Sequence, residues 1–145
     1  MNDLERLVRA RVTQTVRDTS VAPSVADLAL ELKVDQARIR QALFALADEH
    51  LLVLRPGTDR VWMASPFSAI HTDFLVRIQN REWYANCVWD GLSILALLGD
   101  GTLDTHSPQT QEPIRFEVAG GQVVGSGLVH FLVPARAFWD DIGFT

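Results

Sequence analysis

The chain predicts an α+β fold, and three observations lead there. Apolar residues recur at helical spacing through the first fifty positions. After about residue 51, short alternating runs are separated by turn residues. One largely apolar stretch, 87–98, is long enough to set a helix among those strands. The expected organisation is an N-terminal winged-helix domain over residues 1–65, then a mixed helix and antiparallel-sheet domain over residues 66–145. Ser65-Pro66 marks the boundary, because proline pushes the residue before it out of the helical region.

The elements follow in order. Leu4, Leu7, Val8, Arg11 and Val12 form the stripe of a first helix. Ser24 is a favoured N-cap for a second, VADLALEL. Asp35 can cap a third, QARIRQALFALADEH, whose inner face carries Ile39, Ala42, Leu43 and Leu46. Leu51 to Leu54 reads as a strand, RPGTDR as a turn and VWMA as the return strand. Beyond the boundary, FLVRI (74–78) and REWY (81–84) alternate across Gln79-Asn80 as a β-hairpin. Asn86 is the expected N-cap of a helix from Cys87 to about Leu98, which Gly99-Asp100-Gly101 ends.

Composition narrows the function. The 145 residues are 48% apolar and carry a formal net charge of −5. The charge is uneven: residues 1–65 hold nine Lys/Arg against nine Asp/Glu, and residues 66–145 hold four against nine. Phosphate contacts need a positive surface. The helix at 35–50 offers Arg38, Arg40 and Gln41, with Lys33 before it, but Asp35, Asp48 and Glu49 oppose them. DNA binding is therefore disfavoured, and packing is the expected duty of the winged helix. A single cysteine forms no internal disulfide and indicates a reducing compartment. No segment reads as a signal peptide or membrane span, so the cytoplasm is expected.

The chemistry concentrates in YANCVWDGLSILALLG (84–99). Cys87 and Asp90 are three residues apart and share a helix face. A thiol in the first helical turn should ionise more readily, since the helix N-terminus favours an anion. Trp83, Trp89 and Trp62 are candidates for an apolar wall, which would raise a neighbouring carboxyl pKa. The bland alternative is a buried cysteine beside an ordinary N-terminal aspartate.

These residues resemble the organomercurial (alkylmercury) lyases. The resemblance runs through the helical front, the hinge ASPFSAIHTDFLVRI (64–78), the hairpin and, most specifically, NCVWDGLSILALLG (86–99). It implies an organomercurial-lyase-like second domain. It implies Cys87 as thiolate ligand and nucleophile toward mercury and Asp90 as proton shuttle beside the metal; Trp83 and Trp89, from the reading of the residues, are the candidates to line the substrate pocket. A soft metal suits a thiolate, and no organic cofactor is needed because the metal belongs to the substrate.

The resemblance also implies a second cysteine, following a strand like LVHFLVPARAFWDDIGF (128–144). The phenylalanine before it corresponds to Phe144, and Thr145 follows in its place. The domain therefore reads as shortened at its C-terminus. An external small thiol could supply the missing sulfur. A sheet edge left open could pair with another copy, giving a homodimer. Two alternatives accompany the lyase: a degenerate member that binds metal or another ligand without cleavage, and a winged-helix DNA-binding regulator.

Other candidates are weaker. His50 should sit at a helix C-terminus, His71 in the hinge, His106 in the turn-rich THSPQTQEP and His130 on one face of a strand. None has the partner spacing of a zinc site. Ser107 and Ser126 lack a nucleophile elbow. Gly120-Gly121 and Gly125-Ser126-Gly127 read as turns between strands, not a phosphate loop.

Overall fold

Helix α1 (Asp3–Thr19) starts where Asn2 and Glu5 close a capping box. Its buried stripe is Val8, Val12 and Val16, spaced by four. Leu7, expected on that stripe, is exposed. The four-residue rows place Leu7 outside the buried line, and Val16 extends that line to the last turn. Burying each valine contributes about 2 kcal/mol, so packing rather than propensity holds α1 in place.

The computed structural model describes residues 1–124, 128–131 and 133–143. Helix α2 (Val25–Leu32) is capped by Ser24 with Asp27 in reciprocal contact. Helix α3 (Gln36–Asp48) is capped by Asp35. All four residues expected on its inner face, Ile39, Ala42, Leu43 and Leu46, are buried. It stops two residues earlier than the periodicity suggests. His50 takes a left-handed conformation (φ 59°), and Leu51 N–H donates back to the Leu46 carbonyl, closing the helix end.

Among the described residues, eight strands form one sheet: β1 (Val53–Leu54), β2 (Val61–Ala64), β3 (Phe67–Ser68), β4 (Leu75–Ile78), β5 (Arg81–Ala85), β6 (Gly101–His106), β7 (Pro113–Ala119) and β8 (Gln122–Val124). Their order is β1-β2-β3-β5-β4-β6-β7-β8, with every pair antiparallel. Only two of the four residues from Leu51 to Leu54 pair as strand. The sheet runs straight through Ser65-Pro66, since Met63 faces Ser68 and Ala64 faces Phe67 across β2 and β3. One hydrophobic core accordingly spans both halves, from Val8 and Leu43 to Trp83 and Leu103.

Helix α4 (Val88–Leu98) buries Gly91, Ile94 and Leu95. Trp89 and Leu97 on its other side are exposed, so the apolar run covers more than the buried face needs. Gly91 lets the helix approach β6, because any side chain there would meet Leu103. Gly101 is held more tightly still: a Cβ would collide with the Arg77 carbonyl oxygen on β4. A backbone oxygen cannot step aside as a side chain can. Gly101→Ala should therefore cost about 3 kcal/mol, read as a lower urea midpoint at unchanged slope.

The strand expected within 128–144 is not found among the described residues. Residues 135–140 instead form a short 3₁₀ helix, η1 (Ala135–Asp140), after Pro134. Phe144, Thr145 and the Gly125-Ser126-Gly127 turn lie outside the described residues. Among the described residues, no helix is long and apolar enough to cross a membrane.

Candidate active site

The cap of α4 departs from expectation by one residue. Cys87, not Asn86, is the N-cap, with extended backbone (φ −155°, ψ 179°). Its Sγ accepts from the Asp90 backbone N–H at 3.4 Å. That is the geometry a serine or aspartate N-cap normally supplies. It still places the sulfur and the third-position side chain of the helix together. Asn86 has other work. Its Nδ2 donates to Asp90 Oδ2 at 2.7 Å and lies 3.5 Å from the Phe67 carbonyl oxygen on β3.

The thiol pKa moves opposite to expectation. Burial pushes the Cys87 thiol above its ordinary range, and the helix N–H groups of Asp90 and Trp89 only partly offset it; the Asp90 charge adds to the rise. Desolvation outweighs the helix end here because the sulfur is half-buried beneath its neighbours. Burial also raises the Asp90 carboxyl, against the Asn86 N–H that favours its ionised form. Both groups thus hold a proton more firmly than they would in water.

Cys87 and Asp90 open onto one cavity of about 1110 Å³. Val53, Met63, Ser65 and Phe74 wall it on the sheet side, with Asn86 and Trp89 beside the two reactive groups. Its far wall is the segment carrying Val129, His130, Phe131, Pro134, Phe138 and Trp139. Trp139 stacks on His50 with ring centroids 4.0 Å apart and planes at 4°. Phe131 and Phe138 meet at 5.3 Å. Apart from His130, this wall is apolar.

Of the tryptophans expected at the site, Trp89 lines the cavity and Trp83 does not. Trp83 faces the core opposite Val76 and donates Nε1–H to the Arg17 carbonyl at 2.6 Å. Arg81 lies over its ring and donates to the carbonyls of Arg17 and Asp18. Trp83 is thus the anchor of the α1 C-terminus on the sheet. The alternation of β5 carries the reason, since Trp83 and Ala85 point into the core. Trp62 lies against Gly143, outside the lining residues. Sequence reasoning missed Phe74, Met63, Phe138 and Trp139, whose spacing to Cys87 carries no local signal. It placed His130 on a strand face, whereas that residue lies outside any strand and lines the cavity.

The remaining histidines are accounted for by neighbours. His71 stacks on Tyr84 at 4.4 Å, and His106 Nε2 lies 3.6 Å from Asp73. Among the described residues, no group of three or more His, Cys, Asp or Glu side chains is placed to hold a metal ion.

Comparison with known proteins adds the decisive observation. The family model for alkylmercury lyase matches residues 67–144, more than half of the chain. The chain belongs to the alkylmercury lyase family. The matched span includes the Cys87–Asp90 helix, the sheet from β3 onward and the far wall of the cavity. A solved structure, the mercury-bound form of MerB2, superposes with a TM-score of 0.69 at 19% sequence identity. The match covers 86% of this chain and 60% of that one, so this alkylmercury lyase family member spans three-fifths of that protein's length. At that identity the likeness speaks for the mixed helix and antiparallel-sheet fold. No curated protein matches the chain.

Proposed function

We propose that the chain cleaves carbon–mercury bonds, with Cys87 as nucleophile and Asp90 as proton carrier. The observation that carries this reading is the shared cavity: in an alkylmercury lyase family chain, the Cys87 sulfur and the Asp90 carboxyl face the same apolar space. The substrate enters as R–Hg–SR′, already bound to an external small thiol. Cys87 begins as a thiol, as its burial dictates. As its sulfur bonds mercury, its proton passes to the Asp90 carboxylate. Asp90 then delivers that proton to the carbon as the carbon–mercury bond breaks, with the bonding electron pair staying on carbon. The products are R–H and Hg(II) held between Cys87 and the external thiolate. Every atom is conserved, and no resident metal or organic cofactor takes part.

The external thiol matters because the 145 residues contain one cysteine. Two-sulfur coordination suits a soft ion, and an external small thiol can supply the second sulfur. The test is benzene release from a phenylmercury compound, followed by gas chromatography across a series of glutathione concentrations. Release should rise with thiol and saturate. A folded chain that releases none in excess thiol ends the lyase reading. That same lone cysteine favours one rival, capture without cleavage. Its mark is a mercury mass adduct that Cys87→Ala removes, formed with no hydrocarbon.

The front of the chain, residues 1–65, we read as a winged helix used for packing rather than for DNA. Two features support this duty. The α1 C-terminus is held by Trp83 and Arg81 of the sheet, and the β1–β2 hairpin continues into β3. On α3, Arg40 is already paired with Asp59.

A further inference from the structure

We propose that Asn86 is a positioning residue, tying Asp90 to strand β3 so that one carboxylate oxygen is held and the other faces the reacting carbon. This rests on the lyase reading above. Asn86 Nδ2 donates to Asp90 Oδ2 at 2.7 Å and approaches the Phe67 carbonyl oxygen at 3.5 Å. The amide orientation is not arbitrary. Two oxygen acceptors lie on the same end of the side chain, so that end must be the nitrogen. The other end is left unsatisfied: Asn86 Oδ1 is buried and finds no hydrogen-bond partner among the described residues. Most buried polar atoms are paired, and an exception marks a place where some other requirement prevails. Here that requirement is the tie itself. Turning the amide to satisfy its oxygen would set it against two other oxygens.

The consequence is geometric. Asp90 sits on the first turn of α4 with two rotatable bonds. Without a tie its carboxylate could swing toward solvent or toward the backbone N–H groups of its own turn. Asn86 takes Oδ2 and anchors it to the sheet that forms the cavity floor. Oδ1 remains as the oxygen through which a proton can move. Cys87 lies between the two tied residues in sequence, and its sulfur is fixed separately by the Asp90 backbone N–H. Positioning of the sulfur and positioning of the carboxylate are therefore separable.

That separation supplies the test, on the full chain with phenylmercury and excess glutathione. Asn86→Leu keeps the side-chain volume and removes the amide. Benzene release should fall at least tenfold in kcat, with KM and the extent of mercury capture by Cys87, read by mass, within about twofold of wild type. Asn86→Asp, which replaces the N–H donor by an oxygen, should lose as much. In an Asp90→Ala background, Asn86→Leu should change the residual rate by less than twofold. A loss of capture equal to the loss of release, or additive losses in the double variant, overturns the proposal. If the wild-type chain captures mercury but releases nothing, the lyase reading fails, and the tie is judged on thermal melts. There, non-additive Asn86→Leu and Asp90→Ala effects retain the tie and additive effects overturn it.

Discussion

Cys87→Ala should abolish both mercury capture and hydrocarbon release, leaving the fold intact. Cys87 is the one sulfhydryl among the 145 residues, and its sulfur opens onto the cavity. Alanine is too short to reach mercury and offers no electron pair to it. The loss of release should exceed a thousandfold, because a nucleophile and a soft ligand vanish together. The structural cost should be small. As N-cap, Cys87 contributes one sulfur–N–H contact at 3.4 Å, and losing a cap costs about 1 kcal/mol. Cys87→Ser separates the two duties: a hydroxyl caps the helix well but binds a soft ion poorly, so stability should match wild type while capture is lost. Capture by wild type should also quicken as pH rises from neutral. Burial raises the thiol pKa, so the thiolate is scarce at neutral pH and grows toward and beyond the ordinary thiol range. A flat capture rate between pH 6 and 9 would contradict this assignment.

Asp90→Asn should stop release while slowing capture far less, because solvent can take the thiol proton as mercury binds but nothing replaces the acid that protonates carbon. The amide keeps the size of the carboxyl and an acceptor for Asn86 Nδ2, but it cannot carry a proton. General acid–base contributions of this kind are worth about a hundred- to ten-thousandfold, and release should fall within that range. The mercury adduct on Cys87 should persist, now without product. The same variant reports on stability. Burial raises the Asp90 pKa in the folded chain. A carboxyl so shifted contributes stability that is fully present below its unfolded pKa and lost as pH rises through its folded pKa. At neutral pH the ionised Asp90 therefore weighs on the folded state, and the neutral amide does not. Asp90→Asn should melt higher than wild type at pH 7, with the gap closing as pH falls toward 4. Equal melting temperatures at both pH values would show that the carboxylate is well solvated. It would then be poorly suited to hold a proton for carbon.

Much of the front half was legible because its signals are local. Ser24 and Asp35 cap helices through atoms three residues away, and the apolar face of α3 repeats within its own length. The β4–β5 hairpin shows itself through alternation around Gln79-Asn80. The α4 start was misread by one residue because asparagine is a good N-cap in isolation. Its amide is spent on Asp90 and lies near Phe67, and the thiol takes the cap instead. The strand at 128–144 is implied by the resemblance, and His130 falls on a strand face by the alternation of LVHFLV. Pro134 and the short turn that follows it set a 3₁₀ helix there instead.

The sequence by itself singled out the candidates for chemistry: one thiol and one carboxyl, three positions apart, at the start of an apolar helix. Their spacing brings them together in any helical register, so no distant contact is needed. Tertiary structure alone decided the surroundings. It carried Trp83 into the core and Trp139 across to His50, and it walled the cavity with Phe74, Met63 and Phe138 from segments far apart in the chain. It also reversed the expected shift of the thiol. A helix end acts over one turn and is written in the local sequence, whereas desolvation sums over every atom that excludes water from the sulfur.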